Sequence, residues 1–363
     1  MARKILILIS KTGGGHISLA EALRDRLGPE YAIEMADPQS RFFHWHYRMV
    51  SRYALWLWAA EYRLSDKPRR ALLMHWLYTI SLSKAISALL DRVQPELIIT
   101  TYPFLTYEVT QVLKRKRSAV PFVMLFADPN GVHASWLTVH NAAATLAPTR
   151  ETYAQALSAN FLPEHVHQVG WPVRGQFYRV QPEQRGMLLE QMGFDDQRFT
   201  VFLQGGGEGA AQFGQTVERV LAIPQIQVIL AAGTNQTLIT RFKNRERSNI
   251  FVLPFTKEIA PYMAAADVIM GKAGPNMLFE SVTIGKPFIA TAYIPGQEEP
   301  NLEFIRRHKL GWVALKPGEQ LALLTKLAAN PQELQMMDAG VKAYREWNNQ
   351  HADTIVPVLE GLL

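Results

Sequence analysis

Five short stretches of the chain bring glycine together with residues that hold anions, move protons or read hydroxyl groups. The first is Ser10-Lys11-Thr12-Gly13-Gly14-Gly15-His16. Three glycines let backbone come close to a ligand, and amides that open a helix face an anion or a polar group. The spacing is neither that of a P-loop nor GxGxxG. His16 closes the turn beside Gly14 and Gly15, where an imidazole can serve as a general base; a histidine bonded locally at a helix start fits equally well. The second is Asp128-Pro129-Asn130-Gly131-Val132-His133-Ala134-Ser135-Trp136. Asp128 can orient a histidine or share its proton, with His133 and Trp136 close by, although Asp-Pro-Asn-Gly also makes a good plain turn.

Three more lie in the second half. Gly205-Gly206-Gly207-Glu208-Gly209 follows an apolar run, and Gly233 ends another. In Gly271-Lys272-Ala273-Gly274-Pro275-Asn276-Met277-Leu278-Phe279-Glu280, Pro275 suits the first position of a helix. The amides after it can hold a diphosphate without a metal. Glu280 then lies about one and a half turns along, where a carboxylate can accept both hydroxyls of a ribose or simply face water. Finally, Pro295-Gly296-Gln297-Glu298-Glu299-Pro300-Asn301 holds amide and carboxylate groups in one loop. Gln297, Glu298 and Asn301 are of the kind that reads sugar hydroxyls, or that forms an ordinary polar loop.

Some chemistry is excluded. The chain has no cysteine, hence no thiolate zinc site, disulfide or cysteine nucleophile. No Asp-x-Asp motif is present, and the pairs His44/His46 and His165/His167 read as ordinary polar positions rather than metal ligands. With 48% hydrophobic and 19% charged residues, the 363-residue chain is globular, and its length suggests two domains. The start, Ala2-Arg3-Lys4 then Ile5–Ile9, reads as a first strand rather than a leader, since Lys11 follows. No run approaches the roughly 18 apolar residues that cross a bilayer. The expected location is cytoplasmic.

The net charge of +6 sits in one place. Residues 41–92 carry nine cations against three anions, a surplus equal to that of the whole chain, and four of its 8 tryptophans: Trp45, Trp56, Trp58 and Trp76. Arginine beside aromatic rings suits an anionic membrane interface. The same residues also describe a helical pair with an aromatic core and a wet basic face. Nucleic acid is a third reading, which no accompanying motif supports.

Apolar runs bounded by turn residues place strands at Lys4–Ile9, Tyr31–Met35, Glu96–Thr100, Pro121–Ala127, Ala142–Leu146 and His165–Val169. A second series follows at Phe199–Leu203, Gln227–Ala232, Ile250–Leu253, Asp267–Met270 and Pro287–Thr291. Helical stretches separate them, which predicts an α/β protein of two doubly wound parallel sheets facing across a cleft. The expected domains are 1–170, carrying the aromatic-basic helices 42–92, and 199–363, joined by a linker at 171–198. The last helix is free to pack on either. Ligands of such sheets bind beyond the C-terminal ends of strands, where all five stretches fall.

Taken together, Thr12–His16, Asp128…His133…Trp136, Gly170-Trp171-Pro172-Val173, Gly205–Gly209, Gly271–Glu280 and Ile294–Asn301 resemble a known family. It is that of the monogalactosyldiacylglycerol synthases and processive diacylglycerol glucosyltransferases, relatives of the transferase that makes lipid II. The resemblance implies the GT-B fold, a UDP-sugar donor, inversion at the anomeric carbon and no cofactor or catalytic metal. It implies that His16 is the general base or binds the acceptor hydroxyl. Asp128 would stand beside it, with Gly14, Gly15, His133 and Trp136 on the acceptor side. Gly274, Pro275 and Asn276 would hold the diphosphate, with Gly206, Gly207, Gly233, Lys272 and Ala273 also lining the donor. Glu280 would hold the ribose, Gln297, Glu298 and Asn301 the sugar, and Phe255 and Thr256 the uracil. Residues 42–92 would meet the membrane and the acceptor. Ala127, Asn141, Thr234 and Asn276 depart from the family pattern.

The expected function is transfer of galactose or glucose from a UDP-sugar to diacylglycerol or a similar lipid, by a protein peripheral on an anionic membrane surface, with no nucleic-acid partner. Other readings are a GT-B transferase with a soluble or polyprenyl acceptor, a sugar-nucleotide epimerase, or a UDP-sugar sensor that has lost turnover. The sequence does not choose between the two hexoses or fix the oligomeric state.

Overall fold

The computed structural model describes residues 2–205, 210–243, 249–330 and 332–363, with backbone alone at 48, 51–53 and 210–212. Two compact units result. One takes the chain up to Arg174 together with Ile294–Pro300 and Trp347–Leu363; the other takes Gly175–Tyr293 and Asn301–Glu346.

In the first unit the order along the chain is β1 (Arg3–Leu8), α1 (Gly15–Leu27), β2 (Tyr31–Ala36), α2 (Arg41–Tyr53), α3 (Leu55–Ser65), α4 (Pro68–Val93), β3 (Leu97–Thr100), α5 (Thr106–Lys116), β4 (Phe122–Leu125), β5 (Ala144–Ala147), α6 (Arg150–Ser158) and β6 (Val166–Gln168). The strands form one parallel sheet in the order β2-β1-β3-β4-β5-β6. β3, β4 and β5 are buried throughout, as continuous apolar runs are when helices cover both faces of a parallel sheet. The strand order reverses between β1 and β3, so the turns that follow them flank a switch point where ligands enter.

α4 shows how sequence period becomes packing. Its buried residues are Ala71, His75, Thr79, Leu82, Ile86, Leu90 and Val93, three or four apart, which is one stripe of a helix. Leu72, Leu73, Trp76, Leu77 and Ile80 are exposed on the same helix. The C-terminal residues are stapled to this unit. The Asn348 side chain accepts from the Trp171 amide at 2.7 Å and donates to the Trp171 carbonyl at 3.1 Å, while Arg26 pairs with Asp353 at 3.0 Å.

The second unit runs α7 (Arg185–Gln191), β7 (Phe199–Gln204), α8 (Ala210–Leu221), β8 (Ile226–Gly233), α9 (Gln236–Lys243), β9 (Ile250–Pro254), α10 (Ala260–Ala265), β10 (Val268–Lys272), α11 (Pro275–Thr283), β11 (Phe288–Ala292), α12 (Glu299–Arg307), β12 (Gly311–Val313), α13 (Pro317–Ala329) and α14 (Gln332–Ala352). α12 and α14 each carry residues of both units, and α15 (Ile355–Glu360) belongs to the first. All six strands are parallel, in the order β12-β11-β10-β7-β8-β9, with the switch between β7 and β10. Val201, Leu203, Val228, Leu230, Val268, Met270 and Ile289 meet Leu324 and Leu327 in its core.

Residues 175–198 fold with this unit. Phe177 and Leu189 are buried, Arg185 grips Asp267 at 3.0 Å, and Gln227 donates to the Asp195 carbonyl at 2.6 Å. β12 is a strand that the apolar pattern does not announce, being three residues long and opening on glycine.

Candidate active site

At the C-terminal edge of the first sheet, β1, β3 and β4 deliver three turns side by side. Neighbouring strands lie about 4.8 Å apart, so the turns after β1 and β4 begin about 10 Å from one another. His16 is the second residue of α1 and partly buried. Its Nδ1 lies 2.5 Å from the carbonyl of Thr101, which follows β3. A carbonyl only accepts, so Nδ1 carries the proton and the neutral ring presents its lone pair at Nε2. The Thr101 hydroxyl donates back to the His16 carbonyl at 3.3 Å, and Tyr102 stands edge-on to the ring at 5.0 Å. Desolvation lowers the His16 pKa to about 4, against the smaller opposing pull of the Thr101 carbonyl. The imidazole is therefore neutral at pH 7, the form that accepts a proton. Gly14 and Gly15 beside it are exposed.

Asp128 follows β4 and is buried. Burial raises its pKa to about 7; the Trp136 indole pulls it down, and the charges of Glu298 and Asp66 push it further up. Trp136 is fully buried, edge-on to Phe126 at 5.5 Å, and its N–H makes no well-formed hydrogen bond. His133 is buried and occupied by chain groups. Its Nδ1 accepts from the Ser135 amide at 3.1 Å, and its Nε2 lies 3.3 Å from the Tyr62 carbonyl and 3.2 Å from Ser65 Oγ. This histidine ties the loop to the end of α3, and Asp66 completes the tie by accepting the Ala134 amide at 2.8 Å.

The loop Ile294–Pro300 belongs to the same unit. Glu298 is buried and accepts the Ile294 amide at 2.8 Å, which closes the loop on itself; Gln297 is half-buried. Gly296 has φ of +85°, and a Cβ there would meet the Tyr62 ring at 3.0 Å, so only glycine fits against α3. Asn130 donates to the Pro300 carbonyl at 2.9 Å, and Arg63 pairs with Glu299 at 3.5 Å. A hollow of about 270 Å³ lies among Tyr62, Arg63, Asp66, Gly296, Glu299 and Pro300. Its lining has an aromatic wall, a guanidinium and two carboxylates, a set suited to hydroxyl groups.

In the second unit, the turn after β10 leads straight into α11. Gly274 precedes that helix in extended conformation, Pro275 is its first residue, and no side chain caps it. Its partial positive end stands in the turn that carries Lys272, Ala273 and Asn276. Glu280 is buried on the same helix. Asn301 is buried and donates to the Ala273 carbonyl at 2.9 Å, so it holds this turn in place. Gly233 ends β8 with φ of +54°, and its carbonyl accepts the Phe255 amide at 2.9 Å, which brings those two expected residues together. Phe255 is exposed, and Thr256 Oγ1 caps the turn by accepting the Glu258 amide at 3.1 Å. Gly206 and Gly207 lie outside the described residues.

Sequence reasoning passed over Tyr62, Asp66, His75 and Glu108. Tyr62 is partly buried beside Asp128 and Asp66, and its hydroxyl pKa is raised well above the usual value, first by burial. His75 and Glu108 are both fully buried and bonded at 2.9 Å. The available signal was a polar residue at a buried position of each helical stripe.

The comparisons divide the chain as the structure does. Residues 18–173 match the family described as monogalactosyldiacylglycerol (MGDG) synthase, and residues 200–345 match the glycosyltransferase family 28 C-terminal domain. A probable monogalactosyldiacylglycerol synthase 2, chloroplastic, of Oryza sativa subsp. indica is 28% identical over 344 residues, covering 88% of this chain and 72% of its own. Monogalactosyldiacylglycerol synthase 3, chloroplastic, of Arabidopsis thaliana is 28% identical over 363 residues, covering 91% and 75%. The chain is a glycosyltransferase of the monogalactosyldiacylglycerol synthase type. The crystal structure of Acinetobacter baumannii MurG shares the fold at a TM-score of 0.61 with 11% identity, covering 99% of each chain. The fold is GT-B, built from two Rossmann-like sheets. The departures from the synthase pattern are of two kinds: Ala127 is buried just after β4, whereas Asn141 and Thr234 are exposed. Asn276 sits in the first turn of α11.

Proposed function

We propose that this protein transfers a hexose, galactose or glucose, from a UDP-sugar to diacylglycerol or a similar lipid at a membrane surface, with inversion. One observation carries the acceptor half: the Thr101 carbonyl commits the Nδ1 proton of His16, so Nε2 is the basic nitrogen of a neutral ring. Nε2 takes the proton of the lipid hydroxyl as its oxygen attacks the anomeric carbon. Asp128 follows β4, two strands from β1 in the sheet, and its carboxylate favours the imidazolium that forms. Gln297 and Glu298 take the sugar hydroxyls.

The donor half rests on α11. Its N-terminus and Lys272 offset the charge that grows on the leaving UDP, without a catalytic metal, and Glu280 accepts the ribose hydroxyls. Phe255 and Thr256 receive the base. The lipid reading rests on exposed Phe42, Trp45, Trp56, Leu72, Leu73, Trp76 and Ile80 on α2–α4, next to exposed Arg63, Lys67, Arg69 and Arg70. Aromatic rings at headgroup depth with cations beside them bind anionic bilayers. No described helix is long and apolar enough to cross a membrane. A soluble acceptor or an epimerase has no use for such a surface.

Product analysis tests the reading. UDP-galactose and UDP-glucose are offered separately with diacylglycerol vesicles, and the lipid extract is examined by mass spectrometry and proton NMR. A β-linked glycolipid from one donor is expected. An α-linked product, or donor consumption with no glycolipid, overturns the proposal.

A further inference from the structure

We propose that the buried His75–Glu108 pair is a positioning device for the acceptor loop, holding the Ser135 carbonyl and through it Trp136 and Asp128. The inference rests on the role given to Asp128 above. His75 comes from α4 and Glu108 from α5, and neither is exposed to solvent. Nε2 of His75 lies 3.0 Å from the Ser135 carbonyl, and Nδ1 lies 2.9 Å from Glu108 Oε1. Because the carbonyl only accepts, Nε2 must carry a proton, and Glu108 fixes the ring so that this proton points at the loop. The next residue is Trp136, the indole that faces Asp128.

Stability alone does not account for the pair. Two ionisable groups are desolvated there, and Glu108 Oε2 is buried with no partner. Apolar residues of similar volume commonly do as well or better at such sites. What apolar residues cannot do is donate to Ser135. The ring is also seated among Phe104 and Tyr107, at 5.4 and 5.6 Å, so its volume can be kept while its hydrogen bonds are removed.

That separation gives the test. The double variant His75→Phe/Glu108→Leu is expected to fold and to melt at or above the wild-type temperature. Its kcat falls at least tenfold, while KM for the UDP-sugar stays within twofold. Glu108→Gln keeps a hydrogen-bonding partner for Nδ1 and keeps kcat within threefold of wild type. A second readout needs no turnover: the indole resonance of Trp136, assigned with Trp136→Phe, follows the titration of Asp128 in wild type and shifts its midpoint in the double variant. Absence of any wild-type glycolipid would sink the functional reading and leave this readout intact. Wild-type kcat together with an unmoved Trp136 titration in the double variant overturns the inference. Should that variant not fold, His75→Gln and His75→Asn take its place: the longer amide reaches Ser135 and keeps the rate, the shorter does not, and equal rates overturn the proposal.

Discussion

His16 and Asp128 are displaced in pKa in ways that matter for both folding and turnover. The His16 pKa is lowered to about 4 by burial, so the stability the neutral ring brings is complete above the unfolded value of about 6.5 and is lost as pH falls through 4. Asp128 is raised to about 7, so its protonated form favours the fold at low pH, and that advantage disappears as pH rises through 7. Asp128→Asn is therefore expected to stabilise the protein at pH 8 by roughly 2–4 kcal/mol, with little gain at pH 4, read by urea unfolding at the two pH values. The same variant loses turnover. Between pH 5 and 9 the wild-type kcat/KM rises with a midpoint near 7 as Asp128 ionises, while His16 stays neutral throughout. A midpoint that survives in Asp128→Asn assigns the titration to another group.

At the scale of elements, α2–α4 present two unlike faces. The inner face of α4 packs on α5 and reaches the acceptor loop through His75, while α3 reaches it through Tyr62, Ser65 and Asp66. The outer face exposes Trp56 by 75% and Trp76 by 56%. Trp56→Ser/Trp76→Ser is expected to lower cosedimentation with anionic vesicles at least tenfold and to leave the melting temperature nearly unchanged, since exposed substitutions cost little. Unaltered cosedimentation would remove these rings from the membrane contact. On the donor side, Glu280→Ala is expected to weaken UDP binding about tenfold, the size of one or two lost charged hydrogen bonds, as read by calorimetry.

Much of this was legible in the chain. Strands such as β1, β3 and β4 are largely apolar runs, and the aromatic-basic segment reads as helices with one wet side. Less legible was which side of that segment is which: α3 has no buried residue, and its rings are only partly covered. The pairing of His75 with Glu108 joins residues 33 apart and depends on α4 and α5 lying together, which no local pattern encodes. His133 and Asn301 looked like ligand-binding groups by type, and the structure engages both with backbone. Residue chemistry alone does not tell a group that touches substrate from one that holds a loop.

For the whole molecule, the matches to glycosyltransferase families supply the reaction class, one match falling on each unit. The first holds His16, Asp128 and the loop Ile294–Pro300; the second holds the N-terminus of α11 and Glu280. Their wide spacing in sequence follows from where they lie: His16 comes after β1, Asp128 after β4, α11 with Glu280 after β10, and the loop Ile294–Pro300 after β11. The 28% identity to the plant synthases extends over both units, so the account covers the donor and the acceptor machinery together.

The central claim is that His16, as a neutral imidazole, takes the proton of a lipid hydroxyl while UDP leaves without a metal. The most direct measurement is the initial rate of glycolipid formation on anionic diacylglycerol vesicles, in EDTA, for wild type and His16→Ala. The account predicts undiminished wild-type turnover in EDTA. It predicts a fall of about 100-fold or more in His16→Ala, with UDP affinity preserved. Wild-type turnover abolished by EDTA, or His16→Ala turning over at the wild-type rate, would contradict it.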